Sequence, residues 1–231
     1  MSDSHQDAPK PVLIVVMGVA GTGKTTLAQA LSRTLQLPYI EGDELHPPAN
    51  IDKMSSGQPL TDADREPWLA LLRTTAEHLV AEQQREDRPD ANPDPTRIHP
   101  APELSDASSD PPRRRAGALM TCSALRKYYR DILRGNLRPG LPEPLDPLEA
   151  PAEPETLPTY FVFIEGSREL LLERVSKRQG HYMKANMVDS QLGTLESPEG
   201  EDGVILVGMN ERTEDQVKIV IAELNRMTEG L

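Results

Sequence analysis

Cysteine occurs once in the 231 residues, at Cys122, so neither an intramolecular disulfide nor a cysteine-rich zinc site can form. Basic residues are outnumbered, 25 Lys plus Arg against 37 Asp plus Glu, for a formal charge of −12. Nucleic acid and anionic membranes both want a basic face, so neither is expected as a partner. Apolar runs last only a few residues, far short of the ~20 that a membrane-spanning helix needs. The first eleven residues are polar, carry Asp3 and Asp7, and offer no leader-like apolar stretch. Aromatic residues are scarce at 3%. Together these absences predict a soluble, reduced, cytoplasmic protein.

Proline is abundant instead, at 22 residues, and unevenly spread. Seven prolines lie between Gln83 and Arg115 and seven more between Leu137 and Pro158, the second group with five acids against one base. Such stretches bury too little apolar surface to offset the entropy of ordering them. Residues 83–115 and 137–158 are therefore expected to be mobile inserts, and 1–11 a flexible N-terminus, on a single domain spanning 1–231.

The rest alternates strand-like and helix-like segments. Val12 to Met17 is an unbroken apolar run, as in a strand covered on both faces. Shorter strands are expected at Tyr39 to Glu41, Ala118 to Cys122, Tyr160 to Ile164 and Val204 to Val207. Helical spacing joins Leu27 to Leu35, Trp68 to Val80 and Leu125 to Leu133. Ser167 is a good N-cap for a helix ending near Gly180, and Thr213 to Gln216 reads as a capping box for the last helix. Repeated β-α units give an α/β fold, a parallel sheet with helices on both faces.

Between the first strand and the first helix, Gly18-Val19-Ala20-Gly21-Thr22-Gly23-Lys24-Thr25 matches G-x-x-x-x-G-K-[ST] without a mismatch. Glycines let backbone N–H groups turn inward around a phosphate, and the following helix aims its positive end at the same oxygens. Gly18, Ala20, Gly21, Thr22, Gly23, Lys24, Thr25 and Thr26 are accordingly read as the nucleotide cradle of a P-loop NTPase. Lys24 would reach the β- and γ-phosphates and the Thr25 hydroxyl would ligate Mg²⁺. No N-K-x-D segment is present to read guanine, which points away from a GTPase and toward a small kinase.

Downstream of the second strand the chain reads Glu41-Gly42-Asp43-Glu44-Leu45-His46-Pro47, then Asn50 to Met54, then Gly57-Gln58-Pro59-Leu60-Thr61-Asp62-Ala63-Asp64-Arg65. Further on stand Cys122 to Lys127 with Tyr129-Arg130-Asp131, Leu171 to Arg174, Arg178-x-Gly180-His181-Tyr182-Met183, and Ser190-Gln191 with Thr194-Leu195-Glu196 and Pro198. This set resembles the gluconokinases of the thermoresistant type, small P-loop kinases that phosphorylate D-gluconate at its 6-hydroxyl. The resemblance implies a five-stranded parallel sheet of the nucleotide-kinase and shikimate-kinase type with a mobile lid. It also implies ATP and Mg²⁺ as cofactors, D-gluconate as acceptor and a possible homodimer.

Roles follow for individual side chains. Asp43, just past a strand's C-terminal edge, can orient the attacking hydroxyl or take its proton. His46, held extended before Pro47, can bond a sugar hydroxyl. Lys53, Arg65 and Arg126 are candidates for the gluconate carboxylate, the arginines favoured for their bidentate fork. Arg174 and Arg178, four apart, would share a helix face that brings cationic charge to the transferred phosphoryl group. His181 and Gln191 are substrate-site residues by resemblance alone. Cys122 is expected to be a small core residue. Gly208-Met209-Asn210 departs from the family's acidic ending, which leaves the base preference open. The alternatives are a kinase for another small molecule or nucleoside monophosphate, and a silent nucleotide-binding module.

Overall fold

The computed structural model describes residues 10–86, 115–140, 157–177 and 182–228. Its centre is β1 (Val12–Met17), every residue of which is buried. Side chains alternate across the strand. Val12, Ile14 and Val16 face one helical layer, with Leu27 and Leu31 of α1 (Lys24–Leu35) and Val220 and Leu224 of α7 (Thr213–Thr228). Leu13, Val15 and Met17 face the other, against Trp68, Leu69, Leu72 and Ala76 of α3 (Asp62–Glu86) and Ile132 and Leu133 of α4 (Lys127–Leu133). The remaining strands are β2 (Tyr39–Glu41), β3 (Gly117–Thr121), β4 (Thr159–Glu165) and β5 (Val204–Gly208), in the order β2-β3-β1-β4-β5 and parallel throughout. The five-stranded α/β sheet expected from the sequence is therefore present. The chain runs from β3 across β1 to β4, so the sheet changes winding direction beside the C-terminal end of β1, where open sheets bind ligands.

Among the described residues no helix is long and apolar enough to cross a membrane. α5 (Arg168–Ser176) opens at the expected Ser167, whose hydroxyl accepts from the Leu170 amide at 3.3 Å. The capping box expected at Thr213 does not form. The Arg212 carbonyl takes the Asp215 and Gln216 amides, and the Gln216 side chain donates to the Gly208 carbonyl at 2.7 Å. A reciprocal cap stands instead at α3. There the Thr61 amide donates to Asp64 at 2.6 Å and the Asp64 amide to the Thr61 hydroxyl at 3.3 Å. Two helices are additional to the sequence reading, α2 (Pro48–Ser55) and α6 (Tyr182–Thr194).

Residues 87–114 and 141–156 of the two expected inserts lie outside the described residues, while the residues at their borders are built into the fold. α3 runs on through Gln83 to Glu86, and the Gln83 amide bonds both the carbonyl and the N–H of Gly117, at 2.9 and 3.0 Å. That side chain takes the place of a sheet partner at the start of β3, which is why the helix persists into the stretch read as insert. Leu157 is buried in the core and the Pro158 carbonyl accepts from Leu13, so the second proline-rich stretch is anchored at its end. Pro11 is likewise buried at the entrance to β1.

Among the described residues Arg130 is the one cation whose side chain is wholly buried in an ion pair, at 0% exposure. It binds Glu201 through two of its nitrogens and also donates to the carbonyls of Ala124, at 2.9 Å, and Glu196, at 3.2 Å. Burial raises the Glu201 pKa, but the bonds from Arg130 and Arg134 outweigh it and hold the carboxyl below its ordinary range. Glu201→Ala leaves Arg130 buried without a counter-charge and is expected to cost about 3–5 kcal/mol of unfolding free energy. Urea denaturation measures this, and a loss under about 1 kcal/mol contradicts it.

Candidate active site

Three glycines of the loop after β1 have positive φ, Gly18 at 139°, Gly21 at 88° and Gly23 at 101°. A Cβ on Gly21 would stand 2.8 Å from the Val175 methyl, so the loop can pass beneath α5 only as glycine. Thr22 is buried and turns its hydroxyl to the Val19 carbonyl at 2.9 Å. The Lys24 ammonium reaches the same carbonyl at 3.1 Å, across the mouth of the loop. Thr25 and Thr26 lie exposed in the first turn of α1, whose N-terminus points its amides at the cradle.

Two elements close on this loop. Arg174 of α5 donates to the Thr22 carbonyl at 3.4 Å and to the Met209 carbonyl at 2.5 Å. Gln191 of α6, expected at the acceptor, stands on the cradle instead, its side-chain oxygen accepting from the Ala20 amide at 2.6 Å. Met209 is buried, and its sulfur fills the space a Cβ on Gly166 would need. Arg178 and His181 lie outside the described residues.

One residue at this site not singled out in the sequence reading is Glu41. The Thr25 hydroxyl donates to its carboxylate at 3.0 Å, the Tyr39 hydroxyl at 2.5 Å, and Thr121 makes a further bond. Burial raises the Glu41 pKa, but the three hydroxyls together hold it below the ordinary carboxylate range. The same neighbourhood pushes Tyr39 up to about 12, by burial first and then by Glu41. Glu41 opens the acidic motif at the end of β2, two residues before Asp43, and that position was the available signal. Among the described residues no group of three or more His, Cys, Asp or Glu side chains could hold a metal. A hydroxyl beside a carboxylate is nonetheless the oxygen-only donor set that Mg²⁺ takes when phosphate and water complete its shell.

On the acceptor side, Gly42 to Leu45 form a 3-10 turn that leaves Asp43 exposed. A Cβ on Gly42 would run into the Thr121 carbonyl, so the turn packs directly on β3. The Trp68 indole N–H donates to the Gly42 carbonyl at 2.9 Å and its ring stacks on His46, with centroids 3.9 Å apart. Lys53 pairs with Asp64 at 2.5 Å, and Arg126 with Asp62 at 2.7 Å. Arg65 donates to the Leu60 carbonyl at 2.5 Å and to the Tyr129 hydroxyl at 3.5 Å. Both arginines lie against the Tyr129 ring, Arg65 at 5.8 Å and Arg126 at 6.0 Å from its centroid. The two halves meet where the Gly18 amide donates to the Ser123 carbonyl at 3.3 Å, beside the buried Cys122. Burial pushes its thiol up to about 12, Asp43 adds to the shift, and the charges of Lys24 and Arg65 oppose it. The thiol is a buried core group, as expected, and not a nucleophile.

No family model matches the chain. It is 39% identical over 217 residues to the gluconokinase of Gluconobacter oxydans (strain 621H), covering 94% of this chain and 91% of that protein. It is 37% identical over 210 residues to a probable gluconokinase of Schizosaccharomyces pombe, covering 90% and 84% of the two chains. The crystal structure of a gluconokinase from Sinorhizobium meliloti 1021 superposes with a TM-score of 0.62 at 34% identity over 96% of each chain. At this identity and coverage the chain belongs to the gluconokinase family.

Proposed function

We propose that this chain transfers the γ-phosphoryl group of ATP to the 6-hydroxyl of D-gluconate. The observation that carries the proposal is the bond from the Thr25 hydroxyl to Glu41, 3.0 Å long, which ties the first turn of the cradle helix to the strand end that leads into Asp43. Oxygen O6 of gluconate attacks the γ-phosphorus while its bond to the β-bridging oxygen breaks. The O6 proton passes to the Asp43 carboxylate, which is exposed at the end of β2 and able to receive it. Lys24, the cradle amides and Arg174 offer positive charge where the oxygens of the transferring group gather theirs. Arg178 belongs to the same proposal through its spacing from Arg174. So do the cytoplasmic setting, which rests on composition, and the homodimer, which rests on the family resemblance.

Thr25 and Glu41 are the residues that would hold Mg²⁺, 3.0 Å apart at the first turn of α1. When bound, the ion neutralises charge on the β- and γ-oxygens. His46 would present a neutral imidazole to a sugar hydroxyl. Burial lowers its pKa, the Arg65 charge adds to this, and Asp43 opposes it. The Asn50 amide nitrogen lies 3.4 Å from His46 Nδ1 and can only donate, which assigns the ring proton to Nε2.

The decisive assay is ADP release with MgATP, offering gluconate, glucose, shikimate, AMP and CMP in parallel. Turnover is expected with gluconate alone, and phosphorylation of a nucleotide or shikimate instead would overturn the acceptor assignment. Lys24→Ala should lower turnover by at least about 100-fold, and wild-type rates in that variant would remove the cradle from the mechanism. Glu41→Gln should raise the Mg²⁺ concentration needed for half-maximal rate, and an unchanged Mg²⁺ titration would exclude Glu41 from the metal site.

Trp68 is the only tryptophan of the chain, so its emission reports on His46 directly. The folded state favours the neutral imidazole. Stability from this group is therefore full above the ordinary value of 6.5 and is lost as pH falls through the lowered one. Protonated imidazole quenches indole, so emission should fall on acidification with a midpoint below 6.5. Replacement of His46 by Asn should abolish the transition, and a midpoint at or above 6.5 would contradict the neutral assignment.

A further inference from the structure

We infer that Arg65, and neither Lys53 nor Arg126, is the residue that binds the carboxylate of the acceptor. The inference deepens the gluconate reading and rests on it. Three cations stand on the acceptor side, and the structure gives two of them a carboxylate of their own. The Lys53 ammonium lies 2.5 Å from Asp64, which also accepts from the amide and hydroxyl of Thr61. That Asp64 is committed shows in its pKa, held far below the ordinary range, first by the bond from Lys53. Arg126 lies 2.7 Å from Asp62, whose other oxygen accepts from the Tyr129 hydroxyl. A substrate carboxylate at either cation would have to displace a bonded aspartate or sit beside its negative charge.

Arg65 differs in kind. Its protein partners are neutral, the Leu60 carbonyl and the Tyr129 hydroxyl, and both are reached through Nη1 alone. Among the described residues no carboxylate pairs with it, and its Nε and Nη2 donors make no hydrogen bond. A half-buried guanidinium without a counter-ion costs desolvation that an incoming anion repays, the more so in a chain of net charge −12. Tyr129 aims it. The ring lies under the guanidinium, the hydroxyl receives Nη1, and Asp62 holds that hydroxyl in turn. The free Nε–Nη2 edge is the geometry that grips a carboxylate with two parallel bonds. Asp62 and Asp64 thus assign charge within the site by neutralising the two cations on either side.

Steady-state kinetics of the full chain test this through the KM for gluconate against that for ATP. Arg65→Ala should raise the gluconate KM by about 10–100-fold, the loss expected for charged hydrogen bonds. The ATP KM should move by less than about threefold. Arg65→Lys, which keeps the charge and loses the fork, should fall between Arg65→Ala and wild type. The other cations are removed as Lys53→Gln with Asp64→Asn and as Arg126→Gln alone, because Asp62 also holds the Tyr129 hydroxyl that aims Arg65. Each of these variants should raise the gluconate KM at least tenfold less than Arg65→Ala does. If either matches or exceeds Arg65→Ala, the inference is overturned while the acceptor site stands. If none of the three changes the gluconate KM, this cluster is not the acceptor site and the broader reading of it fails too. Should Arg65→Ala lose its cooperative thermal transition, Arg65→Gln keeps a donor for the Leu60 carbonyl and is held to the same comparison.

Discussion

The whole site hangs from the burial of β1 on both faces. A strand with helices packed on either side can deliver its chain to the surface only at its ends. At its C-terminal end the next residue, Gly18, already has a φ of 139°. From there the loop has little freedom. Its first amide is taken by the Ser123 carbonyl at 3.3 Å, and α5 stands too close to Gly21 for any side chain. The course of the loop is thus set by the strand end, by α5 and by the Ser123 loop. Phosphate binding here is a consequence of packing before it is a matter of charge.

Charge enters on a shorter scale. The chain carries −12 overall, so its long-range field repels an anionic sugar acid as well as ATP. Attraction must be built within a few ångströms, where screening by salt has little effect on half-buried groups. The acceptor side does so sparingly. Asp62 and Asp64, two residues apart at the start of α3, each hold a cation from a different part of the chain, one from α4's N-terminus and one from α2. The reciprocal cap between Thr61 and Asp64 fixes where α3 begins, and therefore where both carboxylates stand. Helix initiation and charge placement are the same event.

The parts legible in the sequence are those set by local rules. β1 reads as buried because all six of its residues are apolar, and the cradle reads as a cradle because its glycines meet a steric demand that nothing else can meet. What stayed hidden depends on the meeting of distant segments. Arg65 and Arg126 look equivalent along the chain, and only the fold gives Arg126 an aspartate partner while Arg65, among the described residues, has none. Glu41 escaped because its partner hydroxyls, Tyr39, Thr25 and Thr121, come from three elements. Gln191 was assigned to the acceptor by resemblance, and α6, which the periodicity did not reveal, carries it to Ala20 instead. The apparent capping box at Thr213 failed for the same reason, since the Gln216 side chain donates to the Gly208 carbonyl of β5 rather than turning back to accept from an amide of its own helix.

Nucleotide and acceptor halves must keep register to within a fraction of an ångström for in-line transfer, and the fold ties them in more than one place. Gly18 bonds Ser123 directly. Ala20 bonds Gln191, and five residues later Glu196 bonds both the Leu125 carbonyl, through its amide at 2.8 Å, and the Lys127 amide, through its carboxylate at 2.7 Å. These contacts close a ring from the cradle through the end of α6 to the loop that bears Arg126. Within that loop Ala124 takes a φ of 45°, a strained value for a residue with a Cβ. Its carbonyl is held at 2.9 Å by the fully buried Arg130, which also holds the Glu196 carbonyl. One buried guanidinium therefore secures both sides of the ring where it meets the acceptor loop, and that accounts for a cation at a depth where packing alone would have chosen a leucine.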